Sequence, residues 1–417
     1  MKKNFQWNHY SQLFMNKWWS CDNALKLQLK ESGYFKKRET EKNFDKLVDD
    51  IIVQINNFPE NKAEVNQWMN KAENIINNFI ENDDAFNLNN MDKELKEGFL
   101  ESTKKFIRDC KEFDSKLTFE EIGQAMRNLW IVDIIQVLVG KGIKYSAAVF
   151  GYSMLYPYTD NYLDNVNITM NEKREFNNRL QKRLKGEKIE NINENERKIY
   201  QLIEKIEEVF ERQSYPKVYE SLLQIYEGQV RSLEQQKSIS VPYEKDILGI
   251  SLEKGGASVL ADGYLIDGDL SKEEIEFCIG YGFLLQLADD LQDVEEDLKN
   301  NHMTVMSQLS KGYKLDGLVN KLINFTDDLI EGVCFNKHPK ENKIKATIKN
   351  NCLMLILFSI VLSKKYFSRA YIKNIEPYLP FNMRYIKNLK RRLNKKFKAV
   401  KNRDVFLKEI YETMIIK

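Results

Sequence analysis

The chain has 417 residues, of which 42% are hydrophobic and 30% charged, and its 64 Lys and Arg nearly balance its 62 Asp and Glu. Because the positive and negative charges nearly cancel, the net charge gives no reason to expect nucleic-acid binding. The 18 glycines and 7 prolines are about half the usual share, which disfavours a turn-rich sandwich or barrel and favours an all-α protein.

The five cysteines are scattered without a CxxC pair, and there are only three histidines. This usage disfavours a disulfide framework and a zinc site, and it favours reduced thiols. The first residues include two lysines but no apolar run after them, so we expect no signal peptide. The most apolar stretch, 353–362, is too short to span a bilayer. We therefore expect a cytoplasmic protein in which this stretch is a buried core helix.

The elements in chain order fit one helical domain, residues 1–417, because no linker of Gly, Ser or Pro separates them. Residues 1–116 form an N-terminal helical portion without a functional motif. Residues 117–365 contain the strongly apolar blocks that we expect to form a catalytic core. Residues 381–403 form a basic amphipathic helix.

Two local signals lie within the core. The pair Gly255-Gly256 predicts a break or kink in a helix. Ser271, three residues before Glu274, predicts a capping box that opens a helix over 273–298.

Two apolar blocks end in aspartates at helical spacing. Asp289, Asp293 and Asp297 are four residues apart, which places them on one face of a helix over about 12 Å, and Asp160 and Asp164 repeat the spacing. Like charges so spaced repel unless a cation compensates, and oxygen-only ligands suit Mg²⁺ with a phosphate. An acidic run is more often a solvated helix surface, but two such runs, each after a long apolar helix, favour a metal-diphosphate site.

These motifs resemble those of the class I isoprenoid synthases. Residues 160–165 (DNYLDN) and 289–297 resemble the two aspartate-rich motifs, in the forms of the squalene/phytoene branch. The stretches 229–236 and 254–265 (KGGASVLADGYL) resemble the tetraprenyl-β-curcumene synthases, large terpene synthases acting on long linear prenyl diphosphates. The Arg-Arg-Gly sequence of the chain-elongating enzymes does not follow the first motif, and two of its acidic positions are asparagine.

The resemblance implies an α-helical bundle in which both motifs face each other across the mouth of an apolar pocket. It also implies three Mg²⁺ ions between the carboxylates and the substrate diphosphate, which would promote ionisation of the C–O bond. The implied catalytic residues are Asp160, Asp164, Asp289 and Asp293. The implied metal ligands are Asp160, Asp164, Asn165, Asp289, Asp293 and Asp297.

Cationic donors are also expected at the diphosphate. Arg231 and Lys254 lie upstream of the second motif, and backbone N–H groups at the predicted glycine break would add to an anion site. Arg384-Tyr385 resembles the late Arg-Tyr pair that contacts diphosphate in terpene cyclases. Ordinary solvated surface charge is the alternative for each of these cations.

A carbocation needs a dry pocket with aromatic faces around it. Ordinary core packing is the alternative role for every aromatic residue on the helices near the motifs. The candidates for the pocket are Trp130, Phe150, Tyr152, Tyr156, Tyr281 and Phe283.

The basic segment 381–403 has no acidic residue. Leu389, Leu393 and Phe397 would form an apolar stripe along it. The segment is therefore either a surface helix docked by this stripe or a helix attracted to anionic lipid. Nucleic-acid binding is a third alternative, but no recognised nucleic-acid-binding fold accompanies the segment.

Taken with the resemblance, the sequence predicts a Mg²⁺-dependent class I terpene synthase. Its substrate would be a linear prenyl diphosphate of C25 to C35, converted with release of pyrophosphate to a cyclic or linear hydrocarbon. Two alternatives stay open: a head-to-head condensing enzyme of the squalene/phytoene type, and a non-enzymatic helical scaffold that contacts lipid or protein. We expect no nucleic-acid partner.

Overall fold

The computed structural model describes residues 7–57, 62–83, 85–86, 88–90, 93–165, 167–236, 244–333, 335 and 341–398. These residues form α-helices joined by loops and short 3₁₀ turns, without a strand. The all-α prediction is therefore confirmed. The helices are α1 (Trp7–Ser20), α2 (Tyr34–Asn56), α3 (Lys62–Glu81), α4 (Lys93–Phe113), α5 (Phe119–Leu138), α6 (Ala147–Asp164), α7 (Met170–Leu184), α8 (Glu194–Val209), α9 (Pro216–Ser232), α10 (Ile247–Asp267), α11 (Lys272–Gln292), α12 (Val294–Lys299), α13 (Val305–Ser310), α14 (Asp316–Glu331), α15 (Glu341–Leu362), α16 (Arg369–Ile375) and α17 (Met383–Lys398).

Helices α10 and α11 lie at the centre of the bundle. Nearly every residue of α10 is buried, as expected for a helix that is apolar on all sides. Helix α10 packs against α1, α5, α6, α9 and α11, and α6 packs in turn against α5 and α8. The N-terminal portion joins the same core, because Trp18 of α1 makes edge-to-face contacts with Phe283 of α11 and Phe325 of α14.

The predicted break at Gly255-Gly256 does not occur, since α10 runs without interruption from Ile247 to Asp267. The glycines allow close packing of two helices instead. A Cβ atom on Gly255 would lie under 3.0 Å from the carbonyl oxygen of Gly282 on α11, and a Cβ on Gly282 would meet the Gly255 carbonyl equally closely. The prediction was wrong because packing at this crossing outweighs the roughly 1 kcal/mol that glycine costs in a helix. The anion site expected from the break is therefore absent from this part of α10.

The predicted capping box at the start of α11 is confirmed. The Ser271 side chain accepts a hydrogen bond from the Glu274 N–H, and the Glu274 carboxylate accepts one from the Ser271 N–H at 2.7 Å. These bonds satisfy backbone donors that the first turn of a helix leaves without partners.

The helix predicted over 273–298 is present as α11 and the short α12, with Asp293 between them. The N–H of Asp293 still bonds to the carbonyl of Asp289 at 2.9 Å, and the N–H of Asp297 bonds to that of Asp293 at 2.9 Å. At Asp293, φ is −95° and ψ is 7°, which departs from ideal helical geometry. The three aspartates therefore follow a bent path rather than one straight face.

The apolar stretch 353–362 forms the C-terminal part of α15, which packs against α11 and α14. By length and composition alone, α15 is the one described helix that passes for a membrane span, and 61% of its apolar window is buried inside the fold. This burial is the packing that we expected of a core helix.

The basic segment contains α17, which packs against α2 and α15. Arg392 forms an ion pair with Asp45 of α2 at 2.6 Å, and one turn later Lys396 pairs with Asp49 at 2.5 Å. Helix α17 is therefore docked on the bundle. Residues 399–403 of the predicted helix, and the side chains of Lys390, Phe397 and Lys398, lie outside the described residues.

Candidate functional site

A largely apolar cavity of about 500 Å³ lies at the centre of the bundle. It is lined by residues of α5, α6, α7, α9, α10 and α11 and by one residue of α15. Its volume falls within the range of about 300–1,000 Å³ that is typical of ligand sites. The predicted apolar central pocket is therefore confirmed.

Two of the lining helices present matching stripes to this cavity. Helix α6 contributes Tyr152, Leu155, Tyr156 and Thr159, and α11 contributes Tyr281, Gly282, Leu285, Gln286 and Asp289. The α6 stripe reaches Asp160 one residue later, so in each helix eight residues separate the innermost tyrosine from the first aspartate of its motif. Eight residues of helix rise by about 12 Å. The cavity thus has an acidic end and, about 12 Å away, an aromatic end.

Asp160 is the centre of a polar cluster at the acidic end. It is buried, the Gln229 amide donates a hydrogen bond to its Oδ1 at 2.6 Å, and the Lys254 ammonium lies 3.9 Å from its Oδ2. The pKa of Tyr156 is raised, first by the negative charge of Asp160, to which Tyr156 hydrogen-bonds, and then by burial. The charge of Asp289 raises this pKa further, and the charge of Lys254 lowers it. Both motifs therefore act on the same phenol.

The adjacent Asp289 and Asp290 point in different directions. Asp289 is exposed and lines the cavity. Asp290 is buried and accepts hydrogen bonds from Ser251 of α10 and from Gln286, each at 2.9 Å. Burial, then the charge of Asp289, raises the pKa of Asp290 to about 7. Asp290 is therefore a buried contact between α10 and α11 and not part of a solvated surface.

Asp293 and Asp297 lie beyond the bend, outside the cavity lining, and both are half-buried. Asp297 accepts a hydrogen bond from the Thr304 hydroxyl at 3.0 Å. Burial raises the pKa of Asp297 to about 7, with further contributions from the charges of Asp290, Asp293 and Asp289. The carboxylates of this motif are thus electrostatically coupled. Within the described residues, no three Asp, Glu, His or Cys side chains are grouped so as to hold an ion.

The end of the first motif is only partly described. Asp164 is the last residue of α6, and its side chain lies outside the described part of the structure. Asn165 is exposed, and its Oδ1 accepts a hydrogen bond from the Asn167 N–H at 2.9 Å. The amide oxygen of Asn165 therefore stabilises the turn that follows α6 in this structure.

The predicted cations separate into two groups. Lys254 lines the cavity beside Asp160. Arg231 does not line it: its guanidinium lies 2.7 Å from the Glu253 carboxylate and 3.8 Å from that of Asp246. Since Glu253 is buried, Arg231 compensates a charge on the outer side of α10.

Arg384 and Tyr385 lie on α17, away from the cavity lining. Arg384 is exposed, and the buried Tyr385 donates its hydroxyl hydrogen bond to Asp45 of α2 at 2.9 Å. The structure therefore does not bring this pair to the aspartates, because α17 packs on α2 and α15.

Four of the predicted aromatic residues, Trp130, Tyr152, Tyr156 and Tyr281, line the cavity. Phe150 instead contacts Phe106 of α4, with ring centroids 5.8 Å apart, and Phe283 packs on Trp18 at 5.9 Å. Both phenylalanines are two residues from a lining tyrosine, and two residues turn a helix by about 200°. They therefore point away from the cavity.

Sequence reasoning missed the polar part of α5. Gln124, Arg127 and Asn128 line the cavity, and the buried Oε1 of Gln124 has no hydrogen-bond partner among the described residues. Arg127 is exposed and forms no ion pair within the described part of the chain. A helical period that includes Ile131 and Ile134 could have indicated these positions.

No protein-family model matches the chain, and no curated protein matches it. Among solved structures, it is similar to one described as a geranylgeranyl pyrophosphate synthase, with 17% sequence identity and a TM-score of 0.30 over 74% of this chain and 99% of that one. The superposition is too loose for residues of the two chains to be paired.

Proposed function

We propose that this protein is a Mg²⁺-dependent class I terpene synthase. It ionises a linear prenyl diphosphate of C25 to C35, releases pyrophosphate and forms a cyclic or linear hydrocarbon. The observation that carries the proposal is a single apolar cavity, whose acidic end joins Asp160 and Asp289, the first residues of the two motifs, to Lys254. An anionic head with a divalent ion suits that end, and a hydrocarbon suits the rest of the cavity.

The donor chemistry at the acidic end fits magnesium. Carboxylate and amide oxygens are hard ligands, and Mg²⁺ usually takes one or two carboxylates together with water and substrate phosphates. In the proposal, Asp160, Asp164, Asp289 and Asp293 act as catalytic metal ligands, and Asn165 and Asp297 complete the set for three ions. Bound there, Mg²⁺ would neutralise the departing pyrophosphate.

The chain's own residues bind the head group and keep the cavity unreactive. Lys254 offers its ammonium group to the diphosphate. Tyr156 is a neutral phenol near pH 7, as tyrosine ordinarily is, and the charge of Asp160 raises its pKa further. The Tyr152 hydroxyl donates to the carbonyl of Ser258 at 3.0 Å, so that its proton is engaged within the protein. The faces of the lining aromatic rings stabilise positive charge without offering a nucleophile.

Head-to-head condensation is the second candidate, and Arg127 is the observation that favours it. Condensation requires two diphosphates in one cavity, and Arg127 lines the cavity on α5, without an ion pair in the described part of the chain. It is the residue that would serve a second anion.

We also propose a cytoplasmic location with peripheral contact to anionic membranes through α17. The ion pairs with α2 occupy Arg392 and Lys396. Other cations of this helix remain exposed, and they are the ones available to lipid. They are Arg384, Lys387, Arg391 and Lys395.

The test is pyrophosphate release from prenyl diphosphates by the wild-type protein, Asp160→Asn and Asp289→Asn. We expect each variant to lose about 100-fold or more in rate, since even indirect metal partners matter about 10–100-fold, and EDTA to abolish release. Glu296→Gln, which removes an exposed acid of the same run, is the matched control and should retain the wild-type rate. Wild-type release by either aspartate variant would remove the site assignment.

A further inference from the structure

The cavity is bordered by exposed apolar side chains at one place. Trp130 of α5 is 41% exposed and Leu355 of α15 is 37% exposed, although both line the cavity. The other residues of α15 between Cys352 and Leu357 are all buried. Leu355 lies on the same face of α15 as the exposed Leu362, seven residues later. Because it also lines the cavity, Leu355 marks a place where the cavity reaches the surface of the protein.

This opening lies at the aromatic end of the cavity. Tyr281 forms a side-chain hydrogen bond with Cys352, one helical turn before Leu355. Tyr281 itself lies about 12 Å along α11 from Asp289. Leu355 is therefore one helical turn from the contact between α15 and the aromatic end of the cavity.

Helix α5 leads to the same place. Its C-terminal end is held to the segment before α6, because the Lys144 N–H donates to the Gln136 side chain at 2.6 Å. Its N-terminal end lies beside the end of α6, where Tyr158 donates to Asp114 at 2.8 Å. The two helices are therefore antiparallel, and Ile134, near the end of α5, is remote from Asp160.

The border of the opening offers carbon surface. Ile134 and Leu355 are aliphatic, and the one polar atom of the Trp130 side chain is engaged, since the indole N–H donates to the Thr103 hydroxyl at 3.0 Å. These side chains favour an apolar ligand over a peptide or a sugar, because none of them offers a polar partner to replace lost water. Arg127 also lines the cavity, one helical turn before Trp130.

We propose that the cavity has a second, apolar opening between α5 and α15, bordered by Trp130, Ile134 and Leu355, through which the far end of a long linear isoprenoid chain extends. The proposal rests on the proposed function for the position of the diphosphate, at the acidic end. The opening is continuous with the cavity, and this continuity identifies its occupant. A hydrocarbon chain whose head lies at Asp160 and Asp289 and whose length exceeds about 12 Å reaches Leu355 next. Chain length is then limited by this border and not by a closed floor.

The experiment is calorimetric titration of the full chain with two unreactive phosphonate analogues, one with a C10 and one with a C30 prenyl chain. At about 1.5 Å per bond, the main chain of the C10 analogue is shorter than the roughly 12 Å between the acidic and aromatic ends of the cavity, and the main chain of the C30 analogue is severalfold longer. Leu355→Trp narrows the opening from α15, and Ile134→Trp narrows it from α5. Leu362→Trp, at an exposed leucine of α15 outside the cavity lining, is the matched control.

We expect Leu355→Trp and Ile134→Trp each to weaken binding of the C30 analogue about tenfold or more, because each excluded methylene group lowers affinity about fourfold. Binding of the C10 analogue should change less than about twofold, which also shows that the variants are folded. Equal losses for both analogues, or no loss for C30, would overturn the opening alone. Failure of both analogues to bind the wild-type protein would overturn the opening together with the prenyl substrate. The expected pattern without pyrophosphate release would leave the opening standing and refute the catalytic function.

Discussion

The crossing of α10 and α11 places the cavity walls, and glycine-to-alanine substitutions test it. A methyl group on Gly255 would lie under 3.0 Å from the backbone carbonyl of Gly282 and from Cβ of Gln286. Neither atom is the far end of a flexible side chain, so the helices have to separate. In α5, a Cβ on Gly123 would meet nothing within 4 Å, which makes Gly123→Ala the matched control.

The expected changes in the free energy of unfolding have opposite signs. Alanine gains up to about 1 kcal/mol over glycine within a helix, and Gly123→Ala should show that gain. Overpacking costs about 1–3 kcal/mol, so Gly255→Ala should be less stable than the wild type by up to about 2 kcal/mol. Urea unfolding followed by circular dichroism measures both. A Gly255→Ala protein as stable as Gly123→Ala would refute the close crossing.

Two further predictions concern a buried acid and the basic helix. Asp262 of α10 is fully buried, and neither of its carboxylate oxygens has a hydrogen-bond partner in the part of the chain that the structure describes. Burial raises its pKa well above the ordinary value. Above about pH 4, Asp262 is therefore ionised in the unfolded chain but stays protonated in the folded chain. As the pH rises, the free energy of unfolding of the wild type falls by about 1.4 kcal/mol per pH unit through this residue, whereas that of Asp262→Asn does not. A difference in unfolding free energy between the two proteins that stays constant from pH 5 to 7 would contradict this. Replacing the four exposed cations of α17 by glutamine should weaken the salt-sensitive binding of the protein to phosphatidylglycerol vesicles, measured by co-sedimentation, by about 1 kcal/mol per charge. The control is the double variant Arg392→Gln, Lys396→Gln, which removes the two cations that are paired with α2. Equal weakening in the control, or unchanged binding in the fourfold variant, would contradict the lipid contact.

Much of the site could be predicted from periodicity. Helical spacing places Asp160 and Asp289 at the ends of apolar stripes. In the structure Asp289 lines the cavity, and Asp160, which is not itself a lining residue, bonds to the lining residues Gln229 and Tyr156. Helical spacing also distinguishes Tyr152 and Tyr281, which line the cavity, from Phe150 and Phe283, which point away from it. A criterion of proximity in sequence to the motifs could not make that distinction, because two residues along a helix reverse the direction of a side chain.

Contacts between distant elements could not be predicted in the same way. The pair Gly255-Gly256 is a helix breaker by its propensity, and only the close approach of Gly282 explains why α10 continues. Arg384-Tyr385 resembles a diphosphate-binding pair, but the location of α17 depends on its packing against α2 and on Asp45. A single sequence does not contain that pairing of helices.

The proposed reaction is the ionisation of one prenyl diphosphate in this cavity. Its most direct measurement is gas chromatography with mass spectrometry of the products formed by the purified protein with Mg²⁺ and a single diphosphate of C25 to C35, without isopentenyl diphosphate or NADPH. If the proposed reaction occurs, the product is a hydrocarbon with the carbon number of the substrate, together with stoichiometric pyrophosphate. A product of doubled carbon number would favour a condensing enzyme instead, and the absence of any product across these chain lengths would refute the proposed terpene synthase.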